Sequence, residues 1–507
     1  MNPRGVLMRM SRKKLLLISA AFAIAAVAAL GPGGGGSGGA PSSAKALSYV
    51  TGHRLDLGAP GIAVGVVTDK GMSTASAGDV TVDTPIPVGS VTKSFTALAV
   101  MQLAEAGKLK LDEPVVRYLP TFTTADRSYS DRITVRELLS HTSGIPTIAG
   151  VDPLSGPETT LTAQVSALHR VASIEPGSFA YSNANYEVLG ELVERLSGQS
   201  YAAYLHEHVL APLDMTHTYT DLRSAKAGGL GDGHRIWFGV GIPTGIFYRA
   251  DFLPAGFLVS TVGDLDHYLL AILQGGRFNG HSILSPRGIH SMISPQTPAS
   301  ALGVAGSYGF GWYQRPTGGL NLDIDPGIAQ NVHADLVLSP DHHTGLVLLA
   351  DAESDLYEGL IPKFDIAALN ATSIAAVGHA SSGLVEGLYV IFDLVVAGAL
   401  FIYSRTFVRV VKRRVRYYPR SWYSAVAVWR EVLVPAAVLL RLPGFYHESW
   451  NYLLTGDVGF CAALIATLGL TTLAARVVNG LRAHQAPLPV VRLRRTMGGL
   501  LPKNSHE

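Results

Sequence analysis

A hydroxyl and an amine three residues apart stand in the stretch Pro87-Val88-Gly89-Ser90-Val91-Thr92-Lys93-Ser94-Phe95-Thr96. The apolar residues that follow predict a helix over 91–106, and positions i and i+3 share a helical face, so Ser90 and Lys93 can touch. At that end the helix dipole disfavours an ammonium and favours a developing alkoxide, and burial lowers an amine's pKa further. Lys93 can then take the Ser90 proton, which gives a nucleophile with its own base. Taken alone, the same spacing also describes a serine cap followed by a solvated surface lysine.

A second polar stretch, Pro176-Gly177-Ser178-Phe179-Ala180-Tyr181-Ser182-Asn183, is turn-forming and precedes a helical run from Tyr186 to Leu196. On a loop beside Ser90, the Tyr181 phenol can carry a proton to a leaving group, and the Asn183 carboxamide can orient Lys93 and bind a substrate amide. The bland reading is a helix cap with a core tyrosine. Other tempting residues carry less. His206-Glu207-His208 places its imidazoles on different faces of a helix, unlike a metal-binding i, i+4 pair. His141 has no identifiable acidic partner, and Cys461, the chain's single cysteine, sits in an apolar run. No metal or organic cofactor is expected.

The elements that must position these residues lie in the middle of a 507-residue chain. Only 15% of its residues are charged, 48% are hydrophobic and the mean hydropathy is +0.26, so apolar excess is concentrated somewhere. A net charge of +2 gives no ground for a nucleic-acid partner. Residues 1–30 read as a signal peptide or N-terminal anchor: five basic residues, then the uncharged run Leu15 to Leu30. Residues 31–43 read as a Gly/Ser-rich linker. Residues 44–372 have the mixed composition of one exported α/β domain, with strand-like runs at Ile62 to Thr68, Leu336 to Leu338 and Gly345 to Leu349.

Beyond a short linker at 373–383, three apolar stretches at 384–403, 424–440 and 456–475 approximate membrane spans over 384–475. The basic residues between Arg405 and Arg420, and those of the tail at 476–507, place both segments in the cytoplasm, with the 44–372 domain outside and the chain multi-pass in the cell membrane. Charges within the spans, among them Asp393 and Arg430, are expected to face each other as a staple between helices.

The two polar motifs, together with Thr134-Val135-Arg136-Glu137-Leu138-Leu139-Ser140-His141-Thr142-Ser143-Gly144-Ile145-Pro146, Ala211-Pro212-Leu213-Asp214-Met215, Pro254-Ala255-Gly256-Phe257 and Tyr308-Gly309-Phe310-Gly311-Trp312, make the region from Leu55 to Asp351 resemble the serine β-lactamase and penicillin-binding-protein superfamily. The nearest branch is that of class C β-lactamases, D-alanyl-D-alanine carboxypeptidases and related esterases. The resemblance implies an α/β (α+β) fold, with an antiparallel sheet built from both ends of the domain, flanking helices and a mainly helical insertion from Leu109 to Thr220. It also implies an acyl-enzyme on Ser90, with Lys93 and Tyr181 handling protons and Asn183 binding substrate.

The family's third element is a Lys/His-x-Gly stretch on the strand beside the site. His343-Thr344-Gly345 reads instead as a hairpin turn between two apolar runs. Counting back from it, Asp325-Pro326-Gly327 takes the expected place, which would put Asp325 and Gly327 at the substrate, with acid where the family has a base; His333 is a second source of an imidazole. Pro326 has no N–H to give to an oxyanion. The expected protein is a membrane-tethered serine hydrolase acting on an ester, a lactone, or a D-amino-acid peptide or β-lactam amide, its substrate a small molecule or a cell-wall peptide and its other partner the lipid bilayer. The alternative is a catalytically weak or silent ligand-binding ectodomain that acts as a sensor or scaffold through its membrane helices.

Overall fold

The structure is a computed structural model and describes residues 48, 50–52, 59–68, 71–151, 154, 156–237, 240–301, 304–317, 320–329, 331–339 and 343–353, with 394, 397–398, 400–409, 412 and 462–474 in the C-terminal part. The chain divides into two compact units, one of residues 1–395 and 442–461 and the other of 396–441 and 462–507. The expected leader and linker, the span at 424–440, and Asp393 and Arg430 lie outside the described residues. In the second unit 400–409 and 462–474 are helical. Among the described residues no helix is long and apolar enough to cross a membrane.

The first unit is organised by an eight-stranded antiparallel sheet. Its strands are β1 (Gly61–Thr68), β2 (Gly71–Gly78), β3 (Thr297–Ala301), β4 (Val304–Tyr308), β5 (Tyr313–Thr317), β6 (Leu320–Ala329), β7 (Val332–Leu338) and β8 (Thr344–Ala350), in the order β2-β1-β8-β7-β6-β5-β4-β3. The two ends of the domain meet where β1 pairs with β8, Ile62 opposite Ala350 through Thr68 opposite Thr344. β1, β7 and β8 are buried almost throughout. β1 and β8 therefore read as nearly continuous apolar runs rather than alternating ones, and β7 does so over Leu336 to Leu338, beyond the buried His333 and Asp335. The Ser339 to Thr344 turn closes the β7–β8 hairpin, so His343 stands on a turn, as its flanking apolar runs predict.

Helices fill one face and form the insertion between β2 and β3. The central one is α1 (Thr92–Glu105), whose residues from Thr92 to Met101 are all buried, as a helix apolar on every side must be. It packs against α3 (Asn183–Ser197) and the short α4 (Leu253–Gly256), while α5 (Val262–Leu273) covers β1 and β8. In the insertion, α2 (Val135–Leu139) starts at a capping box: Thr134 accepts the Glu137 N–H and the Glu137 carboxylate accepts the Thr134 N–H. α6 (Pro286–Ile293) packs on α1.

Candidate active site

Ser90 sits in a 3-10 turn, Gly89–Val91, that leads directly into α1. The chain reaches the turn from the bridge strand Ile86–Pro87, paired with Val259–Ser260, and reverses at Gly89, whose φ is +52°. A side chain there would meet the Ile328 backbone at 2.6 Å, so turn and strand β6 are in direct contact. Gly327 serves the same packing: a Cβ on it would stand 2.0 Å from the Val88 carbonyl oxygen.

Three side chains expected to act together converge. Lys93 Nζ is 3.1 Å from Ser90 Oγ, and the Tyr181 hydroxyl donates to Ser90 Oγ at 2.8 Å. Lys93 also donates to the Ala255 carbonyl at 2.6 Å and lies 4.8 Å from the centre of the Tyr181 ring. Burial lowers the Lys93 pKa to about 7, although the Asp325 and Glu187 carboxyls pull it back up. Burial pushes the Tyr181 phenol well above 10. Lys93 is thus the member of the pair able to hold a free amine near neutrality, and Tyr181 is a protonated donor.

The loop carrying Tyr181 is held by His141. Its Nδ1 accepts the Ser182 N–H at 3.1 Å and the Asn185 side chain at 3.0 Å, its carbonyl accepts the Ala180 N–H at 2.8 Å, and its ring lies 4.4 Å from that of Tyr181. Burial, and then the nearby Lys93, lower the His141 pKa well below 6.5, so it stays neutral. It is a framework residue, bonded away from Ser90. Asn183 begins α3 and donates to the Gly150 carbonyl at 3.2 Å, not to Lys93. It lines a cavity of about 130 Å³ together with Ser90, Leu154, Phe247, Phe252, Ala255, Gly256, Phe257, Ile328 and Ala329.

The third element falls at 325–327 on β6 but is built differently from the expectation. Asp325 is 1% exposed. It points inward, beside Ser94 and Lys93, and does not line the cavity. Burial raises its carboxyl pKa well above 3.8, with Ser94 and Lys93 opposing. Gly327 is likewise a packing position rather than a cavity wall. The correction follows from strand parity: Asp325 and Gly327 share the face that packs on the 3-10 turn, with Ala334 and Leu336 of β7 opposite Gly327 and Asp325.

His333 is on the other face and brings no imidazole to the site. It is 3% exposed, with Nε2 2.8 Å from Asp335 and Nδ1 2.8 Å from Glu353. Burial disfavours its charge, but the two carboxylates hold its pKa well above 6.5.

Pro326 also proves harmless. β5 pairs with β6 only as far as Ile324, opposite Tyr313, whereas β7 runs alongside to Ala329. A proline in a ladder turns its nitrogen to the unpaired edge, and the residue two along faces the same way. Ile328 therefore aims its N–H at the open edge, where its backbone meets Gly89 beside Ser90.

Several site groups have no side-chain signature in sequence. They are the Ala255 carbonyl on Lys93 and the Pro254 carbonyl on Thr96, both from the Pro254-Ala255-Gly256-Phe257 stretch, and the Ile328 amide. Glu187, one turn beyond Asn183 on α3, is buried and its carboxyl is pushed up to about 8 by burial and by Asp251, with Lys93 and Arg249 opposing. In the sequence it is one of three acids in α3, with Glu191 and Glu194, so its residue type does not mark it as the buried one. Among the described residues no group of three or more His, Cys, Asp or Glu side chains is placed to hold a metal ion.

Comparison with known proteins gives the same fold. The octameric penicillin-binding protein homologue from Pyrococcus abyssi superposes with a TM-score of 0.55 at 26% identity, over 65% of this chain and 77% of that one. D-amino acid amidase from Ochrobactrum anthropi SV3 superposes with a TM-score of 0.57 at 21% identity, over 65% of this chain and 98% of that one, a likeness of fold alone. Protein flp of Staphylococcus aureus (strain MW2) is 25% identical over 401 residues, 76% of this chain and 78% of that protein. The profile of the family described as Beta-lactamase matches residues 47–379, which takes in the sheet, the helical insertion and every site residue above. The chain belongs to the Beta-lactamase family, within the superfamily of serine β-lactamases and penicillin-binding proteins.

Proposed function

We propose that the protein is a membrane-tethered, extracytoplasmic serine hydrolase that works through an acyl-enzyme on an ester, a lactone, or a D-amino-acid peptide or β-lactam amide. The observation that carries this reading is the convergence of Lys93 and Tyr181 on Ser90 Oγ, at 3.1 and 2.8 Å. A silent binding module has no need of a nucleophile supplied with both a base and a proton donor. The membrane tether rests on the apolar stretches at 384–403, 424–440 and 456–475 with their basic flanks.

In this mechanism Ser90 Oγ adds to the substrate carbonyl carbon and its proton passes to the free amine of Lys93. The oxyanion is received by the Ser90 N–H, in a first helical turn whose amides have no intrahelical partner, and by the Ile328 N–H. Tyr181 gives its proton to the leaving oxygen or nitrogen as the scissile bond breaks, and Lys93 restores it. Water then adds to the acyl-enzyme by the same route, the acid departs, and the proton returns to Ser90 Oγ.

The test is turnover of 4-nitrophenyl acetate by the full chain in detergent. It should be abolished by Ser90→Ala, and it should fall by about 10²- to 10⁴-fold in Lys93→Ala, the usual worth of a positioned base. Equal turnover in wild type and Ser90→Ala would sink the reading.

A further inference from the structure

We propose that the cavity beside Ser90 selects an uncharged acyl group with a single aromatic ring or a branched alkyl chain, and rejects acyl groups that carry a carboxylate. The inference rests on the hydrolase reading above and narrows its substrate.

Three observations meet here. The first is the lining: apart from Ser90 and Asn183 the walls are apolar, and no charged side chain lines them. Phe247 and Phe257 are half-buried and stand edge to face at 5.9 Å, with the fully buried Phe252 behind Phe257 at 6.4 Å. Such a wall offers an aromatic guest the edge-to-face contacts that rings prefer.

The second is size. A volume of about 130 Å³ is close to the ~150 Å³ of a Leu/Ile/Phe-lined cavity that holds one benzene.

The third is charge and rigidity at the rim. A buried cation on the segment between Phe247 and Phe252, Arg249, is already committed. Arg249 donates to both Asp251 oxygens at 2.9 and 2.7 Å, and to the Leu154, Gly156 and Pro157 carbonyls at 3.2, 2.9 and 3.1 Å. Asp251 in turn accepts from Thr159 and Gln164. The loop carrying Leu154 is thereby stapled to the loop carrying Phe247 and Phe252, which leaves the cavity preformed. On the strand side the group that could have answered a carboxylate is the acid Asp325, buried behind the wall. A carboxylate entering here would lose its water and meet no cation on the walls, while Lys93 behind them is already bonded to Ser90 Oγ and the Ala255 carbonyl; a neutral ring does not meet that cost.

The cavity receives the acyl half of the substrate. Tyr181, which protonates the leaving group, is absent from its lining. A 4-nitrophenyl ester therefore transfers its acyl group to Ser90 and releases 4-nitrophenol, with the ring of the acyl group against Phe247 and Phe257.

The experiment compares three esters with one leaving group, 4-nitrophenyl phenylacetate, acetate and hemisuccinate, on the full chain in detergent. The expected order of kcat/KM is phenylacetate above acetate by about 10- to 100-fold, the range a well-filled apolar pocket supplies, with hemisuccinate lowest. In Phe247→Ala and in the milder Phe257→Leu, the phenylacetate-to-acetate ratio should fall towards one. Equal rates for acetate and phenylacetate, or a preference for hemisuccinate, would overturn the inference while the hydrolase reading stood. If no ester turned over and a fluorophosphonate left Ser90 unmodified, the hydrolase reading itself would fall, and this one with it.

Discussion

In the proposed mechanism Lys93 is the residue on which the chemistry turns, because of Ser90, Lys93 and Tyr181 it alone changes charge near neutrality. Its pKa of about 7 is set first by burial, with Asp325 and Glu187 limiting the fall. The account predicts that kcat/KM for a neutral ester rises with pH through about 7 and then stays level. No descending limb is expected below pH 10, since the Tyr181 phenol remains protonated there. A pH–rate profile with its rising limb near 4 would mean that a carboxylate is the base instead.

At this scale the sequence was legible where side chains carry chemical types: helical spacing allows Ser90 and Lys93 to touch, whereas Tyr181, 91 residues beyond Ser90, is brought to them by the fold. It was illegible where the backbone acts, since Ala255 and Ile328 carry no chemical signature. It misled at Asp325, whose strand does pack on the Ser90 turn but whose side chain is directed inward by strand parity and packing.

Among the elements, strand β6 and the 3-10 turn depend on each other most closely. With the Val88 carbonyl 2.0 Å from where its Cβ would stand, Gly327→Ala must displace the strand that presents Ile328. Overpacking of this kind costs about 1–3 kcal/mol. Thermal unfolding should show that loss, and kcat should fall further than KM changes, because the oxyanion donor moves with the strand. An unchanged melting temperature would deny the close approach.

Strands β1, β7 and β8 were readable as apolar runs and α1 and α3 as helical ones, each within a few residues. The strand pair β3–β4 was not, for Thr297–Ala301 and Val304–Tyr308 lack an apolar run and owe their form to pairing at the edge of the sheet. β2, Gly71–Gly78, is similar: its small and polar residues become a strand by lying beside β1.

Across the whole molecule, the site is assembled from segments far apart in the chain, and buried ionisable groups tie its stability to pH. Glu187, raised to about 8 from 4.5, binds its proton more tightly when folded, so its contribution is intact at low pH and is lost as pH rises through 8. Lys93, lowered from 10.5 to about 7, acts in the opposite sense: between pH 7 and 10.5 the unfolded chain binds more protons, so stability rises with pH there. Glu187→Gln should therefore flatten the loss between pH 4.5 and 8, measured by denaturant unfolding across that range.

His333 links β7 to Glu353 through a buried cation between two carboxylates, and removing one partner from such an arrangement costs about 3–5 kcal/mol. His333→Gln should show that loss in unfolding while leaving the pH–rate limb near 7 in place. The antiparallel sheet made from both ends of the domain was legible through the order of its motifs. The placement of the C-terminal stretches at 384–475 belongs with the proposed tether, and retention of the full chain in membranes after an alkaline carbonate wash would support it. Release into the wash would refute it.

The most direct test of the central claim is covalent labelling of the full chain by a fluorophosphonate, followed by peptide mass mapping. The account predicts one adduct, on Ser90, absent in Ser90→Ala and slowed in Lys93→Ala, with a labelling rate that rises through pH 7. A folded protein that takes no label, or takes it on a residue other than Ser90, would contradict the account.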